Sequence, residues 1–190
     1  VESLSLNDQD QLPAALCLYQ ADWHQGVVGL LASRIKEKFH RPVAVFARDD
    51  NGALKGSVRS IPGLHVRDAL DAVATKNPGL VTKFGGHAMA AGLSLEEDQF
   101  DQFQNEFERQ VASTIDPEDL EATLHTDGIL EPDHFTLHTA AVLREAGPWG
   151  QGFPEPCFQG EFELISQRIV GENHLKVSLA TGSRQFSVMD

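Results

Sequence analysis

An α/β (α+β) domain followed by a partial β-barrel domain is the architecture the sequence predicts, and three observations predict it. Strand-like apolar runs alternate with stretches of helical periodicity from about residue 14 to 113. The stretch TIDPEDLEA, residues 114–122, then carries a proline and acidic residues with no apolar periodicity. Three β-type runs, FELISQRIV, HLKVSLA and RQFSV, close the chain. The domain boundaries that follow are 1–115 and 120–190.

Each element has a local reason. Residues 14–19 (AALCLY) are a short apolar run and predict a buried strand. In DWHQGVVGLLASRIKEKF, the residues Val27, Leu30, Leu31 and Ile35 recur at helical spacing, and Asp22 stands where it would cap that helix. PVAVFA at 42–47 is β-rich, RDDNG is a turn signal, and 53–61 is a second strand, so the pair predicts a hairpin. LHVRDALDAVA predicts a short helix ended by the KNPG turn at 76–79. Phe100, Phe103, Phe107 and Val111 fall on one face of a further helix, which core packing explains better than a base-stacking stripe. Beyond 122 come a strand in LHTDGIL, a helix near HTAAVLREA and the loop GPWGQGFPEP. The closing strands suggest a small barrel such as an oligonucleotide-binding (OB) fold, incomplete because its last strand ends at the terminus.

Composition narrows the function. No apolar run approaches the roughly 20 residues that span a bilayer, and the two cysteines, Cys17 and Cys157, lie in apolar surroundings without metal-ligand spacing. They are expected to be buried free thiols of a reducing cytoplasm. The chain begins at Val1 and stops within RQFSVMD, which predicts a piece of a longer protein. A net charge of -13 argues at first against a nucleic-acid partner. The charge is unevenly spread, however. Residues 1–95 hold ten Lys/Arg against nine Asp/Glu, residues 96–190 five against nineteen, and residues 28–92 ten against five. An acidic second half is a solvated face or a surface for a basic partner, and a phosphate ligand belongs to the first half.

Three stretches there carry chemistry. GSVRS offers Ser57, Arg59 and Ser60, a guanidinium and two hydroxyls suited to phosphate. FGGH places Gly85 and Gly86 directly before His87, either to admit a ligand's backbone beside an imidazole or simply to make a tight turn. DWHQGVVG puts His24 in the first turns of a helix, where free N–H groups favour an anion, although His24 also reads as a surface residue and Gly26 and Gly29 as close-packing positions. No paired-carboxylate metal cluster, nucleophile elbow or Walker loop is present, so no metal ligand and no catalytic residue is assigned in this chain.

DWHQGVVGLLASRIKEKFHRPVAVFA, LKGSVRSIPGLHVRDAL, KFGGHAMAAGLSL and GPWGQGFPEPCF, in that order, resemble the C-terminal half of RecJ. That family comprises the single-stranded-DNA-specific 5′-to-3′ exonucleases of bacterial DNA repair and recombination. The first three motifs are similar to its DHH-associated domain, and the last opens its OB-fold domain. The resemblance implies that Ser57, Arg59, Gly85, Gly86 and His87 hold the phosphates of terminal nucleotides. It further implies that Mn²⁺ or Mg²⁺ serves the parent enzyme from an N-terminal domain outside this sequence, leaving this piece inactive alone. The implied partners are single-stranded DNA and repair proteins such as a helicase or a single-strand-binding protein, in a bacterial cytoplasm. A non-catalytic binding scaffold and a DHH-family phosphodiesterase acting on short oligonucleotides are the alternatives.

Overall fold

The computed structural model describes residues 12–150, 152–171 and 174–189. Strands β1 (Leu16–Tyr19), β2 (Val43–Arg48), β3 (Leu54–Arg59), β4 (Lys83–Gly86) and β5 (Ala90–Leu95) form one sheet in the order β1-β2-β3-β5-β4. Only the β1–β2 pair is parallel, because α1 (Val28–Phe39) supplies the crossover between them. The hairpin expected at RDDNG is present: Asp49 Oδ1 accepts from the N–H groups of Asn51 and Ala53, and β2 runs antiparallel to β3.

The central strand β2 is a continuous apolar run because both of its faces are covered. Val43, Val45 and Ala47 meet Val28, Ala32, Ile35 and Phe39 of α1. Ala44 and Phe46 face the larger cluster under α2 (Val66–Lys76) and α3 (Phe100–Ala112). There Phe103, Phe107 and Val111 are fully buried, and Phe46 meets Phe100 and Phe103 edge to face with centroids 5.5 Å apart. The phenylalanine stripe is therefore core. Helix α2 stops at the KNPG turn, where the Asn77 side chain donates to the Val73 carbonyl.

Helix α1 differs from its sequence reading in two ways. It starts at Val28, with Val27 at its N-cap and no side-chain cap, while Trp23 and Val27 donate backbone hydrogen bonds within preceding turns; Asp22 caps nothing. Its buried stripe is Val28, Ala32, Ile35 and Phe39, whereas Val27 is 49% and Leu30 60% exposed. The helix is rotated because small residues, Gly29, Ala32 and Ser33, let it lie close to the sheet, and closeness gains more contacts than the larger chains would.

The chain divides into two compact units, Val1–Ala122 and Thr123–Asp190. At the end of the first unit Arg41 donates to the carbonyls of Pro13, His40 and Leu120, tying both ends of the unit to α1. The second unit contains α4 (Leu137–Glu145), capped by Thr136, and a meander of β6 (Glu163–Val170), β7 (His174–Thr181) and β8 (Arg184–Met189). Its sheet is open, as expected of a partial barrel. Phe135, Phe162 and Phe186 gather on one face, yet among the described residues every buried hydrophobic side chain lies at or before Ile115. The strand expected in LHTDGIL is absent: Ile129 makes a single bridge to Gln159, and Asp127 spends its carboxylate on the Cys157 N–H. Gly128, at φ +100°, bends the backbone out of strand geometry. Cys17 is buried as expected, but Cys157 is only partly so.

Candidate functional site

Alternation along β3 sends Leu54, Gly56 and Val58 into the α2–α3 core and leaves Lys55, Ser57 and Arg59 on the face that α1 shares. Helix α1 covers β1 and β2 on this face and touches β3 through Gly29 and Ser33. The register then builds a shelf across β3, β5 and β4. Ser57 stands opposite Gly92, and Gly92 opposite Gly85; Arg59 stands opposite Ala90, to whose carbonyl the His87 N–H donates at 2.8 Å. Ser57, Arg59, Gly85 and His87 thus mark the corners of a patch about 10 Å by 7 Å, two strand spacings by two residues.

The glycines of this patch differ in cause. Gly86, at φ +146°, has its own hairpin in the way: a Cβ would lie 2.5 Å from both the Ala90 oxygen and the Ala91 Cα. Above Gly85 nothing lies within 4 Å of a Cβ, and above Gly92 only the Gly56 oxygen, at 3.7 Å. Neither packing nor backbone conformation requires glycine at these two positions, and both are exposed. Glycine weakens a strand and is kept where another backbone approaches closely.

Arg59 dominates the electrostatics. Its Nη1 donates to Ser57 Oγ at 2.9 Å and to the Val58 carbonyl at 3.0 Å, and its Nε donates to Ser33 Oγ at 3.2 Å. No carboxylate lies within ion-pair distance among the described residues, and Nη2 has no acceptor there. A half-buried guanidinium held by neutral oxygens is a standing site for an anion. The hairpin tip beside it is fixed, since the Met89 carbonyl accepts from Ser60 and the Ala88 carbonyl from Val66.

Ser57, Arg59, Gly85 and His87 come together on one face, with Gly86 shaping the hairpin between the last two; Ser60 does not join them. Ser60 is 1% exposed and donates to the Leu64 carbonyl, because the residue after Arg59 points to the opposite face. His24 lies in the turn before α1, its Nδ1 accepting from the Gly26 N–H at 3.0 Å, and not in a helical turn. Gly92 and Ser33 were missed as site residues. Gly92 is in the FGGHAMAAGLSL stretch, but only register across three strands brings it beside Ser57.

A divalent cation does not fit this shelf. Mn²⁺ and Mg²⁺ take carboxylate and carbonyl oxygens, whereas the shelf presents a guanidinium and hydroxyls. Among the described residues no three His, Cys, Asp or Glu side chains converge as a ligand set.

The DHHA1 domain model matches residues 12–113 and the RecJ OB domain model residues 126–190. This chain belongs to the DHHA1 domain family. It is 58% identical to the single-stranded-DNA-specific exonuclease RecJ of Dickeya dadantii over 182 residues, 93% of this chain and 32% of that protein. Against the Escherichia coli RecJ the identity is 56%, with the same coverage. The chain therefore spans about a third of the length of the curated relatives it matches. The crystal structure of Thermus thermophilus RecJ in complex with Mn²⁺ matches 95% of the chain and 26% of that protein, with TM-score 0.71 and 28% identity. The DHHA1 domain carries the shelf, and a RecJ OB domain follows it.

Proposed function

We propose that the DHHA1 domain holds the sugar-phosphate backbone of single-stranded DNA for an exonuclease of the RecJ kind. In this reading residues 1–115 form the substrate-holding domain and 120–190 the OB domain. The observation that carries it is the shelf itself: a guanidinium that, among the described residues, has no carboxylate partner, beside two exposed strand glycines that neither packing nor φ requires there. Arg59 binds a phosphate through Nη2, Ser57 offers its free hydroxyl proton, and His87 closes the far edge. Gly85 and Gly92 let the strand's backbone lie against the sheet. Ser60, buried on the opposite face, is left out of the contact set, and His24, in the turn ahead of α1, is a further candidate.

In a RecJ-type enzyme Mn²⁺ or Mg²⁺ would supply the activated water, and in this reading residues outside the shelf hold it. What these residues do is bind and orient, excluding lateral slip of the strand so that its terminal phosphodiester is presented in one position. The setting is a bacterial cytoplasm, with a helicase or a single-strand-binding protein as the partners that supply unwound DNA. The test is fluorescence anisotropy of this chain with a 5′-phosphorylated, 3′-labelled oligothymidylate. Binding that Gly92→Val and Arg59→Ala both weaken, at unchanged melting temperature, supports the reading; binding indifferent to both rules it out. A scaffold lacking chemistry would behave the same in this assay, and only metal-dependent cleavage by an enzyme carrying this domain separates the two.

A further inference from the structure

The manner in which α1 holds Arg59 is a separate observation from the shelf, although its consequence rests on the phosphate-binding reading. Ser33 Oγ accepts from Arg59 Nε at 3.2 Å and donates to the Gly29 carbonyl, also at 3.2 Å. One turn earlier on the same helix, Gly29 has no side chain where a Cβ would stand 3.1 Å from Arg59 Nη2 and 3.3 Å from Ser57 Oγ. A hydroxyl grips one edge of the fork, and a bare Cα makes room for the other.

Neither residue serves the helix. Glycine inside a helix is less favourable than alanine, and a serine bonded back to the i−4 carbonyl contributes nothing the backbone lacks. Neither belongs to the buried stripe of Val28, Ala32, Ile35 and Phe39. We infer that Gly29 and Ser33 form a socket that fixes the direction in which Arg59 presents its guanidinium, with Ser33 as a positioning residue acting through Arg59. Nε and Nη1 are taken by protein oxygens, and Nη2, beside the bare Cα of Gly29, is the nitrogen without an acceptor among the described residues and so the one left for a phosphate oxygen. A fork held this way has less rotamer freedom to lose when the ligand arrives.

The experiment compares Ser33→Ala, Ser33→Thr, Gly29→Ala and Arg59→Ala in this chain by three measurements. These are thermal melting, anisotropy with 5′-phosphorylated, 3′-labelled oligothymidylate, and NMR hydrogen exchange of the Arg59 Nε–H without DNA. Ser33→Ala is expected to melt at or above the parent temperature, alanine being the better helix former, and Gly29→Ala near it, the helix gain offsetting the crowding of Arg59 and Ser57, while affinity of both falls about twofold to tenfold. Ser33→Thr restores it, because threonine supplies the same hydroxyl. Exchange of the Arg59 Nε–H quickens in Ser33→Ala. The socket is overturned if that exchange is unchanged, or if affinity falls only in step with melting temperature. It is also overturned if Arg59→Ala weakens binding while Ser33→Ala and Gly29→Ala bind like the parent. Should Arg59→Ala itself bind normally, the phosphate-binding reading fails, and the exchange measurement still decides the socket.

Discussion

At Arg59 the balance of terms predicts a clean separation of stability from binding. The side chain makes hydrogen bonds to neutral partners at a half-buried edge, so Arg59→Ala should shift the melting temperature little. Its charge-assisted contact with a phosphate is worth about 1.5 to 3 kcal/mol, so binding of single-stranded DNA should weaken roughly tenfold to a hundredfold. Arg59→Lys keeps the charge and loses the fork, and titration by anisotropy should place it between the two. The cysteines give a second prediction. Burial pushes the Cys17 thiol up, and the Glu108 carboxylate pushes it further. Its folded pKa lies above the unfolded one, so the linked stability is complete below the ordinary thiol value near about 8.5 and is lost as pH rises past it. A thiol reagent at pH 8 should therefore modify the partly exposed Cys157 promptly and Cys17 only as fast as the domain opens, with thermal stability declining above about pH 9. Residue type alone suggests an anion: a guanidinium, the Ser57 hydroxyl and an imidazole near paired glycines suit one. It was illegible where facing decides, since only strand alternation separates Arg59 on the shelf from Ser60 in the interior.

At the level of elements, the sequence reads best where one stripe has one partner. Helix α3 shows its core face openly, because Phe103, Phe107 and Val111 have one apolar partner and the residues between them are polar; Phe107→Ala should cost about 3 to 5 kcal/mol in denaturant unfolding. Helix α1 was misread because its sheet-facing side contains Gly29, Ala32 and Ser33, whose worth lies in closeness rather than hydrophobic area, while the apolar Val27 and Leu30 stand outside. The hairpin of β4 and β5 offers a contrast within one dipeptide. Gly86→Ala should destabilise by about 1 to 3 kcal/mol or more, since φ +146° and the contact at 2.5 Å oppose any Cβ. Gly85→Ala, with open space above it, should fold with a near-parent melting temperature and bind DNA less well. In the meander, Arg168 stands directly opposite Lys176, a like-charge cross-strand pair. Arg168→Glu turns repulsion into attraction and should stabilise the second unit by about 0.2 to 1 kcal/mol, seen as a raised unfolding midpoint.

Across the whole molecule, net charge conceals a polarity that the fold explains. Residues 28–92 hold ten basic and five acidic residues, and residues 96–122 one basic and ten acidic. Within the first unit α3, which carries Asp101, Glu106 and Glu108, packs through Phe103, Phe107 and Val111 against one face of the sheet, and the shelf lies on the other. The first unit of a chain of net charge -13 can therefore offer an anion a favourable approach on one face of its sheet, which counting along the sequence suggested but only the sheet could separate in space. The salt dependence of DNA binding tests this arrangement. Each phosphate neutralised on a single strand adds about −0.7 to the slope of log affinity against log salt. A shelf of one or two phosphate contacts, Arg59 foremost, should give a slope between about −0.7 and −1.4, and Arg59→Ala should lower its magnitude by about 0.7. The α3 acids lie behind the sheet, so neutralising Glu106 and Glu108 should raise affinity at about 20 mM salt, where fields reach far, and change it little near 150 mM, where the Debye length is about 8 Å. Anisotropy titrations across that range supply both numbers. A slope steeper than about −3 would mean that cations beyond the shelf, Arg168 and Lys176 foremost, carry most of the binding, and an affinity insensitive to salt would mean that base stacking carries it instead.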